Sequence, residues 1–235
     1  MDLRGVFQDT LSNTCRSQSH RYAGRLIDYQ PAKRFADTTL HVKNIDCLEE
    51  CALHADADAD AGPGLLNMAS DICAGGGVRK GSRAQEEEIC RRTSLYKSLA
   101  PNRYPLHALE LIYSPDIVIV KDRTYHPTRP VPIRVMSMGA IRRPAVTNGR
   151  YAHSGDRALM TEKIRMVLET ASYHAVDTLV LGAWGCGAFR NPPAEVAYIF
   201  REALYGEYRG VFKHITFAIL ETGDDLNRAF RDCLL

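Results

Sequence analysis

The sequence predicts an α/β protein: a central sheet with helices on both faces. Three observations carry that expectation. Short runs of β-branched and aliphatic residues recur along the chain, bounded by turn residues. Longer segments with helical spacing of apolar residues lie between them. The two kinds alternate, as a layered α/β sheet requires.

Residues 1–34 read as helix and loop, with Leu3, Phe7 and Leu11 at helical spacing. Residues 39–42 (TLHV) read as a short strand, and residues 45–53 as a helix capped by Asn44. Residues 54–64 (HADADADAGPG) alternate aspartate with alanine. A calcium loop needs oxygen ligands at defined positions, and this stretch lacks that motif's closing Glu and central Gly. It reads as a solvated acidic loop. Residues 65–69 are apolar enough for a buried strand and run into SDICAGGG. Residues 83–96 read as a helix with Ser82 as its N-cap.

Residues 117–120 (IVIV) and 132–138 (PIRVMSM) read as buried strands. Residues 156–174 read as a long amphipathic helix, and residues 178–181 (TLVL) as a strand ending in GAWGCGAF. Pro192 opens a further helix, because proline suits a first turn. Residues 215–220 (ITFAIL) and 225–234 give a last strand and a last helix. The pattern shows no internal repeat and no domain boundary.

Composition narrows the function. The 235 residues are 45% apolar and 25% charged, as in a globular domain large enough to bury a core unaided. A net charge of +2 gives little phosphate attraction, so direct DNA binding is not expected. The basic pairs Arg91-Arg92 and Arg142-Arg143 read as solvated faces. No apolar run reaches the ~18 residues of a transmembrane helix, and the N-terminus lacks a signal-peptide pattern. The seven cysteines are odd in number and irregular in spacing, which fits free thiols in a reducing compartment. Cys47, Cys51 and His54 have the proximity of zinc ligands but no matching second pair, so no metal is expected. The protein is expected in the cytoplasm, or the nucleocytoplasm of a eukaryote, with no membrane partner, and a monomer is expected.

Two glycine-rich loops each follow a buried strand and precede a helix: Gly75-Gly76-Gly77, and Gly185-Cys186-Gly187-Ala188-Phe189. Ligands in open α/β sheets sit at the carboxyl ends of strands. Glycine lets the backbone approach a phosphate, and free N–H groups favour the anion. Each loop alone reads equally as a tight turn; together they suggest a diphosphate gripped from both sides. Neither matches the P-loop or the dinucleotide fingerprint.

Gln85-Glu86-Glu87 follows the triple glycine closely. Carboxylates in a first turn ordinarily complement the helix dipole. Beside a phosphate site they would repel the ligand, so their presence points to use. Adjacent helical residues also point about 100° apart, which allows two glutamates to do different work. Trp184 reads either as core or as a stacking surface for adenine, Cys186 as a small loop residue, and His107, His126, His153 and His174 carry no assigned role.

At these residues the chain resembles the microbial-type poly(ADP-ribose) glycohydrolases. Their signature is a triple glycine, a short spacer and Gln-Glu-Glu; here the spacer is seven residues. The resemblance continues through IYSPDIVIVKD, IRRP and LVLGAWGCGAFRNPP, and is looser in the N-terminal third, where it rests on QDTL. It implies a three-layer α/β/α macrodomain-like fold with a mixed sheet, an N-terminal helical lead-in over residues 1–40 and a catalytic domain over residues 41–235. It implies Glu87 as catalytic acid and base, with Glu86 holding hydroxyls of the reacting ribose. Gly75, Gly76 and Gly77 would line the distal ribose and diphosphate, with Gln85 and Asn67 in the same site. Gly185, Cys186, Gly187, Ala188 and Phe189 would form the diphosphate loop, the Phe189 ring packing on the terminal ribose. The family's Asn-Phe-Ala-Asn reads Asn67-Met68-Ala69-Ser70 here, and the Pro before its glycines is Ala74.

The implied reaction is hydrolysis of ribose–ribose O-glycosidic bonds, with poly(ADP-ribose) and ADP-ribosylated proteins as substrate, ADP-ribose as product and no cofactor. Such chemistry needs a proton for the leaving oxygen, hence a carboxyl with a raised pKa, expected of Glu87 through burial beside Glu86. The alternatives are an ADP-ribose reader that lost the chemistry and a hydrolase for mono-ADP-ribosylated protein.

Overall fold

The computed structural model describes residues 1–26, 29–55, 62–220 and 225–235. The Asp-rich stretch of residues 56–61 lies outside them, so the acidic-loop expectation is not addressed.

The chain opens with α1 (Leu3–Asn13), whose first turn is capped by Asp2 accepting from Arg4 N–H. β1 (His20–Ala23) follows, a strand that the pattern of residues 1–34 did not reveal. It is four residues long and largely exposed, so it lacks the alternating apolar signal. β2 is Thr39–Lys43, and α2 is Cys47–Leu53. The cap of α2 is Asp46, not Asn44: its carboxylate accepts from Leu48 N–H and Glu49 N–H.

β3 (Gly64–Met68) leads through a short 3-10 turn at Val78–Lys80 to α3 (Gln85–Arg92) and α4 (Leu95–Leu99). The single helix expected over 83–96 is thus two. Thr93 is extended and bridges to Ile119, while its hydroxyl accepts from Leu95 N–H, which restarts the helix. Ser82 is not the cap; α3 starts after Ala84, which contributes no capping side chain.

β4 (Glu110–Lys121) and β5 (Pro127–Met138) form a long antiparallel pair, both longer than their apolar cores suggest. Their register slips between Ser114 and Ile117, where Pro115 lacks the N–H that a regular ladder needs. A small hairpin, β6 (Val146–Thr147) and β7 (Arg150–Tyr151), precedes α5 (Ser154–Tyr173). β8 (Thr178–Leu181), α6 (Pro193–Tyr205), β9 (His214–Ala218) and α7 (Leu226–Leu234) complete the chain.

The main sheet has seven strands in the order β1-β4-β5-β3-β8-β9-β2. The five from β5 to β2 run parallel, and β4 and β1 extend the sheet antiparallel to their neighbours. Strand alternation divides the core in two. Leu66, Met136, Leu179 and Leu181 face a layer with α5, α6 and α7. Leu65, Val135 and Val180 face a layer with Phe7 of α1 and the apolar residues of α2, α3 and α4. Successive residues on opposite faces, both fully buried, mark a central sheet between two helical layers. Among the described residues, no helix is long and apolar enough to cross a membrane.

Candidate active site

Because the five strands from β5 to β2 are parallel, their carboxyl ends share one side of the sheet. A cavity of about 350 Å³ opens there. Its walls come from the end of each strand in turn: Asp46 after β2, Met68 at the end of β3, Ala140 after β5, Ala183, Trp184, Gly185 and Gly187 to Phe189 after β8, and Ile219 after β9. The β3–β8 ladder pairs only Gly64 with Leu179 and Leu65 with Val180. Beyond Leu65 the strands part, and β3 presents unpaired backbone to the gap. Gln85 fills it: its Oε1 accepts from Met68 N–H at 2.7 Å and its Nε2 donates to Leu66 O at 2.9 Å. Both ends of the Gln85 amide therefore hold α3 against β3, at the floor of the cavity.

That docking delivers Glu86 and Glu87 to the first glycine loop. Glu86 Oε2 accepts from Ser70 N–H at 2.7 Å and Oε1 from Gly75 N–H at 3.2 Å. Glu87 Oε1 accepts from Gly77 N–H at 2.8 Å, while its buried Oε2 has no hydrogen-bond partner among the described residues. The loop must be glycine where it meets the pair. Gly76 sits at φ +52°, and a Cβ there would lie 2.6 Å from Glu87 Oε1 and 3.1 Å from Glu86 Oε2. Both carboxylates are buried, and burial pushes Glu86 up to about 8, its two backbone donors and Asn67 working against the shift and the charge of Glu87 with it. A raised carboxyl is thus present in the pair, at Glu86. Glu88 turns elsewhere, to Arg91 at 2.8 Å and the Tyr125 hydroxyl at 2.6 Å.

The second loop closes on itself around Asn191. Its Nδ2 donates to Ile141 O at 2.7 Å and Gly185 O at 3.1 Å, and its Oδ1 accepts from the Tyr151 hydroxyl at 2.8 Å. Gly185 has φ +76°, and a Cβ there would meet that amide at 2.5 Å. Gly185, Gly187, Ala188 and Phe189 line the cavity. Cys186 is half-buried, and its thiol is pushed up to about 12 by burial, which suits a packing residue. Trp184 is fully buried in the core and also lines the cavity.

The expected residues do not all share one wall. Gln85 and the second loop border the cavity, whereas Glu86, Glu87 and Gly75 to Gly77 do not line it. Ser70 gives its N–H to Glu86, and its hydroxyl accepts from Ile72 N–H at 3.2 Å, bracing the turn. Asn67 is fully buried, donating to Ser137 Oγ at 3.0 Å, and its Oδ1 has no partner among the described residues. Ala74 packs against the α1–α4 core layer.

Some contributors were missed or misread in the sequence. Arg91 and Arg92 are buried rather than solvated: Arg91 pairs with Glu88, and Arg92 Nη1 with Asp46 at 2.9 Å, joining α3 to the cap of α2 on the cavity wall. Arg142 is exposed yet engaged, pairing with Asp71 at 2.5 Å and lying 4.2 Å over the Phe189 ring. A dibasic pair read from sequence has the same signature on a solvent face and on a buried one, so only the partners distinguish them. Cys47 and Cys51 are buried and free, burial pushing the Cys47 thiol up to about 12, and His54 is bonded to Glu50 at 3.1 Å.

A mixed sheet between two helical layers, with a cleft at its parallel carboxyl ends and a buried carboxylate pair beside a triple-glycine turn, defines a macrodomain-like α/β protein. Residues 7–122 match the family model for the microbial-type PARG catalytic domain. Poly(ADP-ribose) glycohydrolase from Deinococcus radiodurans, solved with ADP-ribose, is 34% identical; the match covers 99% of this chain and 90% of that one, with a TM-score of 0.75. The Thermomonospora curvata enzyme bound to the inhibitor ADP-HPD is 26% identical over 98% of both chains, with a TM-score of 0.81. No curated protein matches the chain. The chain belongs to the microbial-type poly(ADP-ribose) glycohydrolase family.

Proposed function

We propose that the protein hydrolyses the ribose–ribose O-glycosidic bonds of poly(ADP-ribose) and releases ADP-ribose, with Glu87 as acid and base. The observation that carries the assignment is the Glu87 carboxyl: buried, fixed through Oε1 by Gly77 N–H, and left with a free Oε2. A group held by one oxygen and open at the other is set to give a proton and take one back.

In this reading the second loop and the cavity take the diphosphate and the adenosine end, and the terminal ribose lies between Phe189 and the carboxylates. Protonated Glu87 gives its proton to the leaving oxygen as the bond from the ribose anomeric carbon breaks, the bonding pair staying with that oxygen. The Glu87 carboxylate then accepts a proton from the water that adds to the same carbon. Glu86 holds the ribose hydroxyls. Acid–base help of this kind contributes about 10²–10⁴-fold, and the remainder comes from positioning.

The test is to incubate wild type and Glu87→Gln with poly(ADP-ribose) and follow free ADP-ribose by chromatography, with ADP-ribose binding measured by calorimetry. The expected result is release by the wild type, a loss of about 10²–10⁴-fold in the variant and retained binding. Near-normal turnover in Glu87→Gln would remove Glu87 from the mechanism. Binding without release by either protein would make this an ADP-ribose reader.

A further inference from the structure

The turn after β5 lies between the two glycine loops and bonds to both. On the side of the second loop, Arg143 N–H donates to Phe189 O at 2.7 Å and Ile141 O accepts from Asn191 at 2.7 Å. On the side of the first, the Arg142 guanidinium pairs with Asp71 at 2.5 Å and donates to Ser70 Oγ at 3.3 Å. The same guanidinium lies over the Phe189 ring, its carbon 4.2 Å from the centroid. Ser70 is also the residue whose N–H holds Glu86. A planar guanidinium can offer its edge to acceptors while its face stacks on a ring, which an ammonium cannot do.

We infer that Arg142 is a positioning residue for the reaction: a clamp between the glycine loops that fixes the Phe189 ring relative to Glu86 and Glu87. The inference rests on the glycohydrolase reading above. The Asp71 carboxylate neutralises the guanidinium locally, so Arg142 acts by geometry rather than by attracting the diphosphate. Without the clamp, the ring and the carboxylates move independently, and the terminal ribose is presented to Glu87 at varying distance. The Ser70 hydroxyl thereby serves the clamp and its own turn, and its backbone serves Glu86.

Two measurements test this together. The first is amide hydrogen exchange of the unliganded wild type, Arg142→Ala and Arg142→Lys. Exchange is expected to rise in both variants at residues 72–77 and at residues 185–189. A rise in one loop alone, or in neither, overturns the clamp. The second is steady-state turnover of poly(ADP-ribose) by Arg142→Ala, Phe189→Ala and the double variant, alongside ADP-ribose Kd.

Arg142→Ala is expected to lower kcat by about 10- to 100-fold, the scale of a misplaced group, with Kd nearly unchanged. Adding it to Phe189→Ala is expected to cost little further, because the two act through one ring. Multiplied losses overturn the inference, and so does a loss confined to Kd, which would make Arg142 a direct anion ligand. Should Arg142→Ala fail to fold, Asp71→Asn removes the ion pair while keeping the shape, and the same loosening of both loops is required of it. Exchange is read without turnover. An inactive wild type would therefore strike the glycohydrolase reading, while the exchange pattern still decides the clamp.

Discussion

Glu86 and Glu87 are neighbours in one helical turn, yet their carboxylates meet different backbone donors. Glu86 is held at both oxygens, and Glu87 at one. In the mechanism we propose, that difference separates a binding group from one free to exchange a proton. It also has a consequence for stability. Glu86 is raised from 4.5 to about 8 by burial, so between those values the folded state holds a proton that the unfolded state has lost. Stability therefore falls as pH rises through that window. Urea unfolding is expected to show the wild type losing ground to Glu86→Gln from pH 5 to pH 9, by an amount on the order of a few kcal/mol. Equal pH dependence of the two proteins would mean that the two backbone donors keep Glu86 ionised. At this scale the sequence was informative about identity: the triple glycine and the glutamates could be picked out. It pointed to a raised carboxyl at Glu87 and did not reveal the one at Glu86, because that depends on what surrounds each oxygen.

At the scale of the element, one side chain ties the start of α3 to β3. Gln85 substitutes for a missing strand partner where β3 and β8 part. Gln85→Ala would leave Met68 N–H and Leu66 O without partners and loosen the turn that carries both glutamates. The expected loss is about 1–3 kcal/mol for a buried group left unsatisfied, measured by denaturant unfolding, with turnover reduced as well. Gln85 was expected in the substrate site by resemblance, and it does border the cavity. Its amide, however, is committed to β3. The strands of strongest apolar character were legible at their centres, and 178–181 along its full length. The split between α3 and α4 was not, since Thr93 and Ser94 are tolerated in a helix and only the bridge to Ile119 holds Thr93 extended.

At the scale of the molecule, we propose that the N-terminal segment is part of the domain it precedes. We read residues 1–40 as built into the fold rather than laid upon it. Phe7 is fully buried, α1 packs on α3, and β1 and β2 are the two edges of the main sheet. Thr10 accepts from the buried Lys121 at 2.8 Å and donates to Arg91 O. Phe7→Ala is expected to cost about 3–5 kcal/mol, a core value rather than a peripheral one, in a single unfolding transition. A loss near zero, or a separate early transition, would make the segment an appendage.

The sequence by itself determined the layered α/β class, most strand centres, the two glycine loops, the carboxylate pair and the family they resemble. Those follow from local pattern: periodicity, glycine where backbone must turn, and a motif of fixed spacing. Only the tertiary structure decided the rest: the strand at residues 20–23, the burial of Arg91 and Arg92, the bridging of both loops by Arg142, and the placing of the raised pKa on Glu86. Each of these depends on groups distant in the chain becoming neighbours. Charge, burial and hydrogen bonding are properties of that neighbourhood, and no local window of sequence contains it.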